Sequence, residues 1–241
     1  MQDPLVFLPG IMGTASLFAS QMDRFGADRP VTIAPLAPGG RVEEIASNLL
    51  DRMPRRFALA GMGLGGVIAM EMLRRAPDRL SRIALINTHS LAETPQSAAA
   101  LEPLIIKLRS GQAEDAAAVF LPLSDLAPGP HRAAVMAEFT QMAMAVDVDL
   151  TIRLLRAYQR RRDYQSVLRR CKVPALVLCG RHDGGTPVKR HGFMADLIPY
   201  AELSVIEAAG RLPTWEAPEA TNAALAAWLK QPYVLQKRAD A

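Results

Sequence analysis

Cysteine is nearly absent from this sequence: Cys171 and Cys179 are the only two in 241 residues. Two thiols cannot build the dense framework that staples small extracellular domains. Cys179 also falls in an apolar run that reads as a buried strand, so a reducing compartment is expected. Long apolar runs are missing too, none approaching the ~20 residues of a membrane span. The opening Met1-Gln2-Asp3-Pro4 has no basic stretch followed by a long apolar one, so no secretory leader is read and a cytoplasmic protein without membrane contact is expected. The four histidines, His89, His131, His182 and His191, form no i, i+4 pair. No metal site is therefore recognised. The sequence shows no internal repeat and no sizeable low-complexity segment.

Charge of one sign is only slightly in excess, with Lys+Arg 28 against Asp+Glu 24. The densest basic cluster, from Arg153 through Arg160, Arg161 and Arg162 to Arg170, shares its segment with Leu150, Ile152, Leu154 and Leu155. That pattern reads as the solvated face of helices. No aromatic residues interleave with it as stacking platforms, so nucleic acid is not an expected partner.

What the chain does have is hydrophobic residues, 50% of the total, enough for one substantial core. Short apolar runs at 5–8, 31–36, 57–60, 83–86 and 175–179, with another near 203–207, read as strands. Helical patterns at 16–25, 42–53, 65–76, 188–197 and 218–229 lie between or after them. The alternation implies a mainly parallel sheet flanked by helices, an α/β class. From 92 to 170 the pattern is helical with no convincing strand. The expected division is a core of 1–91 and 171–230, a helical lid of 92–170 over the carboxyl ends of the strands, and a frayed polar tail, 231–241.

Between the third strand and its helix stands Gly61-Met62-Gly63-Leu64-Gly65-Gly66. A strand, a tight glycine-flanked turn and a helix form the setting of the Gly-x-Ser-x-Gly nucleophile elbow, here with glycine at its centre. A dinucleotide-binding turn would need Gly61, Gly63 and Gly66 in the fingerprint's spacing and an acidic residue ~20 positions on, which Asp78 meets poorly. No cofactor is expected.

With these motifs the chain resembles the α/β-hydrolase superfamily, in particular small esterase and lactonase-like members, over nearly its whole length. Leu8-Pro9-Gly10-Ile11 looks like the oxyanion loop, Cys179-Gly180-Arg181-His182-Asp183 like the acid strand, and Gly210-Arg211-Leu212-Pro213 like the histidine loop. The resemblance places Gly63 at the nucleophile position, Asp183 at the acid position and Arg211 at the histidine position. It implies an oxyanion hole from the backbone N–H groups of Ile11 and Leu64, with Met12, Met62 and His89 near the pocket.

Glycine offers no nucleophile, and an arginine with a pKa above ~12 is no general base near neutrality. Ordinary Ser-His-Asp hydrolysis is therefore not expected. Arg211 either ties to Asp183 as a bidentate ion pair or turns into the vacated space to meet an anion. His89, after the fourth strand, is either a loop histidine or a stand-in for lost chemistry. His191 is expected on a surface helix, and Cys179 in the core. Three readings follow. The chain is a non-hydrolytic pseudoenzyme binding an apolar or anionic small molecule, a lyase or decarboxylase using the retained hole, or an esterase or lactonase whose serine and histidine have been replaced.

Overall fold

The computed structural model describes residues 2–36 and 39–233. Along the chain run β1 (Leu5–Leu8), α1 (Ala19–Gly26), β2 (Val31–Ile33), α2 (Val42–Leu50), β3 (Phe57–Met62), α3 (Leu64–Arg75) and β4 (Leu80–Ile86). Six helices follow without a strand: α4 (Pro95–Ala99), α5 (Glu102–Arg109), α6 (Ala113–Phe120), α7 (Arg132–Met144), α8 (Val148–Gln159) and α9 (Gln165–Arg169). The alternation then resumes with β5 (Ala175–Gly180), α10 (Val188–Leu197), β6 (Ala201–Ile206), α11 (Pro213–Glu216) and α12 (Pro218–Lys230).

The strands form one sheet in the order β2-β1-β3-β4-β5-β6, every neighbouring pair parallel. Each residue of β1, β3, β4 and β5 is buried, as expected where helices cover both faces of a parallel sheet. Helix α2 buries Val42, Ile45, Ala46, Leu49 and Leu50, the i, i+3, i+4, i+7 stripe of an amphipathic helix. Helix α3 is buried from Leu64 to Leu73 and carries the elbow glycines at its start.

Several boundaries depart from the sequence reading for local reasons. Strand β2 ends at Ile33, because Pro35 has no N–H to continue the ladder. Helix α2 ends at Leu50, since Pro54 disfavours helical backbone just before it. Strand β4 starts at Leu80, three residues early, and its register with β3 slips: Phe57 pairs with Leu80 and Ala58 with Arg82, leaving Ser81 between them as a bulge. Of the expected tail, 234–241 lies outside the described residues. Among those described, no helix is long and apolar enough to cross a membrane.

Candidate functional site

The turn between β3 and α3 hinges on Gly63, at φ 55 and ψ −119, a backbone region that glycine enters with little strain. Its N–H donates to the Ile86 carbonyl at 3.0 Å, and its own carbonyl accepts from the Thr88 hydroxyl at 2.8 Å. The frame around the tip is closed to side chains: a Cβ on Gly61 would stand 2.3 Å from the Gly65 carbonyl oxygen, and one on Gly65 2.2 Å from that of Leu8. The tip is open, for a Cβ on Gly63 would meet only the Gly10 Cα, at 3.7 Å. Space for a small side chain remains at the tip.

Asp183 stands beyond β5 with its side chain fully buried. Its Oδ1 accepts the N–H groups of Gly185 (2.9 Å) and Thr186 (3.1 Å), and its Oδ2 accepts the Thr186 hydroxyl and the Asn87 amide, the latter at 2.7 Å. Burial works to raise its pKa, but Arg211, Thr186 and Asn87 together hold it below the usual carboxylate range.

Arg211 makes one contact with this carboxylate, Nε to Oδ1 at 3.2 Å. The bidentate pair expected from the sequence does not form, because the rest of the guanidinium is engaged elsewhere. Its Nη2 pairs with Asp125 at 2.5 Å and its Nη1 donates to the Phe120 carbonyl at 2.6 Å. The Arg211 backbone N–H also donates to the Asp125 carbonyl, at 2.8 Å. Asp125 and Phe120 belong to the helical insert, so one side chain ties the acid position to the roof above it. Glu216 joins the same two segments, accepting the N–H groups of Ala127 (2.6 Å), Gly210 (3.0 Å) and Leu212 (2.8 Å).

Between sheet and insert lies a cavity of about 260 Å³. Gly63 forms part of its wall, Ile11 and Leu64 flank it, and Met62 lines it as expected. The insert supplies Leu101, Leu104, Phe120, Phe139 and Tyr158, so the lining is largely apolar. Val119 also lines the cavity while remaining 51% exposed, which marks the mouth. The polar side chains on the wall are Asn87, Tyr158, Thr186 and Arg211.

Met12 and His89 are not on that wall. Met12 is buried in the hydrophobic core. His89 sits behind Tyr158, its Nε2 2.9 Å from Arg161 Nη2 and 3.4 Å from the Tyr158 hydroxyl. Burial, then the charge of Arg161, depresses the His89 pKa to about 3, so the ring is neutral and its Nε2 lone pair faces a guanidinium. Arg161 departs from the solvated face expected of it: it is 5% exposed, paired with Glu93 and stacked 3.9 Å over the Tyr158 ring. His191 is likewise fully buried, accepting the Thr88 N–H at 3.2 Å with its Nδ1 3.3 Å from the Pro187 carbonyl. It steadies the loop after β4 that positions Asn87. Cys179 is core as expected, its thiol pushed up to about 12 chiefly by burial.

Asn87, Thr186, Tyr158 and Asp125 complete the site without having been singled out in the sequence. Asn87 directly follows a strand's carboxyl end, and Thr186 follows Asp183 at turn spacing. Those two were findable. Nothing in the sequence marks Asp125, 86 residues before its partner.

No family model matches the chain. Over 95% of its length it is 27% identical to the dihydrolipoyllysine-residue acetyltransferase component of the acetoin cleaving system of Pseudomonas putida, of which it spans 64%, less than two thirds. Over 76% of its length it is 26% identical to the pimeloyl-(acyl-carrier protein) methyl ester esterase of Aromatoleum aromaticum, with 78% of that protein covered. Among solved structures, the enol-lactonase from Burkholderia xenovorans superposes with a TM-score of 0.84 at 21% identity, covering 96% of this chain and 92% of the other.

Proposed function

This chain has the α/β-hydrolase fold, and we propose that it uses it to bind a small, mainly apolar molecule without performing Ser-His-Asp hydrolysis. The observation that carries this reading is the state of Arg211: where the fold's base would stand, a guanidinium is held by Asp183, Asp125 and the Phe120 carbonyl, facing a glycine. Among the described residues, no serine, threonine or cysteine on the cavity wall meets a histidine, and the one hydroxyl beside a carboxylate, that of Thr186, is hydrogen-bonded to the Asp183 that also holds Arg211. The triad is degenerate at two of its three positions, and the third, Asp183, is spent on an arginine.

The backbone part of the machinery supports binding. The N–H of Leu64 opens a helix and has no carbonyl within that helix to meet, and Ile11 lines the same cavity next to Gly10, whose Cα would lie 3.7 Å from a Cβ on Gly63. We assign these two N–H groups the oxyanion hole, available to a ligand carbonyl. The helical insert acts as the lid, and its apolar wall selects the rest of the molecule. A neutral ligand fits better than an anion, since Arg211 meets two carboxylates and has no charge to spare. Proton transfer by His89, the alternative chemistry, is not supported: its Nε2 is engaged by Arg161, its Nδ1 is buried, and the ring is not on the cavity wall. A cytoplasmic protein acting on neither nucleic acid nor membrane completes the proposal, consistent with two buried free thiols.

The test is turnover of p-nitrophenyl acetate and butyrate by the native chain beside Leu104→Trp, which fills the cavity. The expected native rate equals that of Leu104→Trp, while neutral esters and lactones raise the melting temperature of the native chain alone. Native turnover that Leu104→Trp abolishes would refute the reading.

A further inference from the structure

A second cavity, of about 380 Å³, lies at the opposite end of the sheet. Its wall includes Gln2 and Asp3 just before β1, Ala58 near the start of β3, and Ser81 and Arg82 near the start of β4. The bulge in β4 explains why two consecutive strand residues share that wall. An extra residue breaks the alternation of faces and re-aims a side chain, here Ser81 opposite the Phe57–Ala58 step.

The wall is cationic beyond its own needs. Arg24, Arg29, Arg82 and Lys230 line it against Asp3 and Asp28. Arg24 is paired with Asp28 at 3.5 Å, and Asp3 accepts the Tyr233 hydroxyl at 2.7 Å with Arg56 4.0 Å away. Arg29 and Lys230 have no ion pair among the described residues. Arg82, 7% exposed, gives one hydrogen bond to the Trp228 carbonyl at 3.2 Å and lies 4.6 Å over the Tyr233 ring, with Asp3 near enough to feel its charge but not in an ion pair with it. Four cations against two carboxylates leave the wall with an excess of positive charge.

Polar atoms here are also orphaned. Ser81 is fully buried, its hydroxyl reaching toward Asp3 without a well-formed hydrogen bond, and the buried Nε of Arg29 has no acceptor among the described residues. Buried polar groups find partners in more than about nine cases in ten, so two orphans on one cationic wall point to a missing acceptor. Burial and the like charge of Arg82 hold the Arg29 pKa below its ordinary value even with Asp28 and Asp3 nearby. Phe25, Ala226 and Leu229 supply an apolar side.

We propose that this cavity is a binding site for a small phosphate monoester, its phosphate held by Arg29, Arg82 and the Ser81 hydroxyl and its organic part laid against Phe25 and Leu229. A phosphate monoester carries about two negative charges at neutral pH and acceptors only, which matches both the unmatched charge and the orphaned donors. The site is separate from the cavity at Gly63 and does not depend on the function proposed there.

The test is calorimetric titration of the full chain with phenyl phosphate, with benzoate and inorganic phosphate as parallel arms. Phenyl phosphate is expected to bind one-to-one, to be displaced by inorganic phosphate and to bind more tightly than benzoate. Arg29→Gln should weaken it about tenfold, the loss of one charge-assisted hydrogen bond. Ser81→Ala, which removes only a hydroxyl, should weaken it severalfold, and Leu104→Trp in the other cavity should leave it unchanged. The proposal is overturned by any of four results: no saturation, undiminished affinity in both Arg29→Gln and Ser81→Ala, benzoate binding as tightly as phenyl phosphate, or binding that appears only after deletion of residues 234–241, which would make the chain's own tail the occupant.

Discussion

The two halves of the site around Gly63 are built in opposite ways. At the elbow the backbone makes a frame with no side chain at its tip, the flanking glycines closed to any Cβ and the tip left open. At the loop that carries Arg211 a long side chain fills the space and reaches Asp125 in the insert. The empty half is a bare frame, and the filled half is a structural joint. Only the second holds its segments together through side-chain contacts, so sequence changes in the two halves should have different consequences.

The largest effect expected is at the elbow's frame. Gly65→Ala drives a Cβ into the Leu8 and Pro9 carbonyls and should cost about 3 kcal/mol or more, enough to leave little folded protein in a denaturant titration. Next is Arg211→Ala, which leaves Asp183 and Asp125 without their shared cation and should cost about 3 kcal/mol. Hydrogen exchange should then quicken in the insert around residues 120–126. If instead Arg211→Ala were as stable as the native chain, the joint would carry no weight and the contrast between the halves would fail.

Acid should loosen the polar layer behind the filled half. Folded His89 stays neutral down to about 3, while the unfolded chain takes up its proton below the ordinary 6.5. Unfolding therefore binds a proton in that window, and stability falls as pH falls, by about 2 kcal/mol between pH 6.5 and 5. Asp183, whose pKa is lowered, adds a loss in the same direction only at more acidic pH, below its unfolded value. A His89→Asn variant should flatten the slope between pH 6.5 and 5, and an unchanged slope would move its origin elsewhere, His191 being the next candidate.

The smallest effect is expected at the tip. Gly63→Ser meets open space and pays only for a left-handed backbone, about 1 kcal/mol. It should not create an esterase, because Arg211 cannot take the serine's proton. The double variant Gly63→Ser/Arg211→His sharpens the contrast: p-nitrophenyl ester turnover in the double variant and in neither single one would show that both positions must change together for this fold to hydrolyse an ester.

Much of the sheet was legible because its strands are buried on both faces and so read as short continuous apolar runs, as in Leu5-Val6-Phe7-Leu8. The elbow was legible because Gly61 and Gly65 answer to local sterics. Asp125 was not, since it meets Arg211 only through the packing of the insert, which periodicity does not encode. Arg161 and His191 were misread for a related reason. Each looks solvent-facing in its own segment, and each is buried by a partner distant in sequence, Glu93 and the Thr88 backbone N–H respectively. The bulge at Ser81 left no mark either, because Ser81 and Arg82 are polar and precede the apolar run from Ile83 that signals the strand.

Because the guanidinium of Arg211 bolts one corner of the roof to the floor, lifting that corner would strand the Asp125 carboxylate and the Phe120 carbonyl together. The side left unbolted is the one where half-exposed Val119 stands at the mouth. On the proposed function, a ligand entering there would meet hydrocarbon first and the backbone at Gly63 afterwards, so the doorway would favour oily molecules.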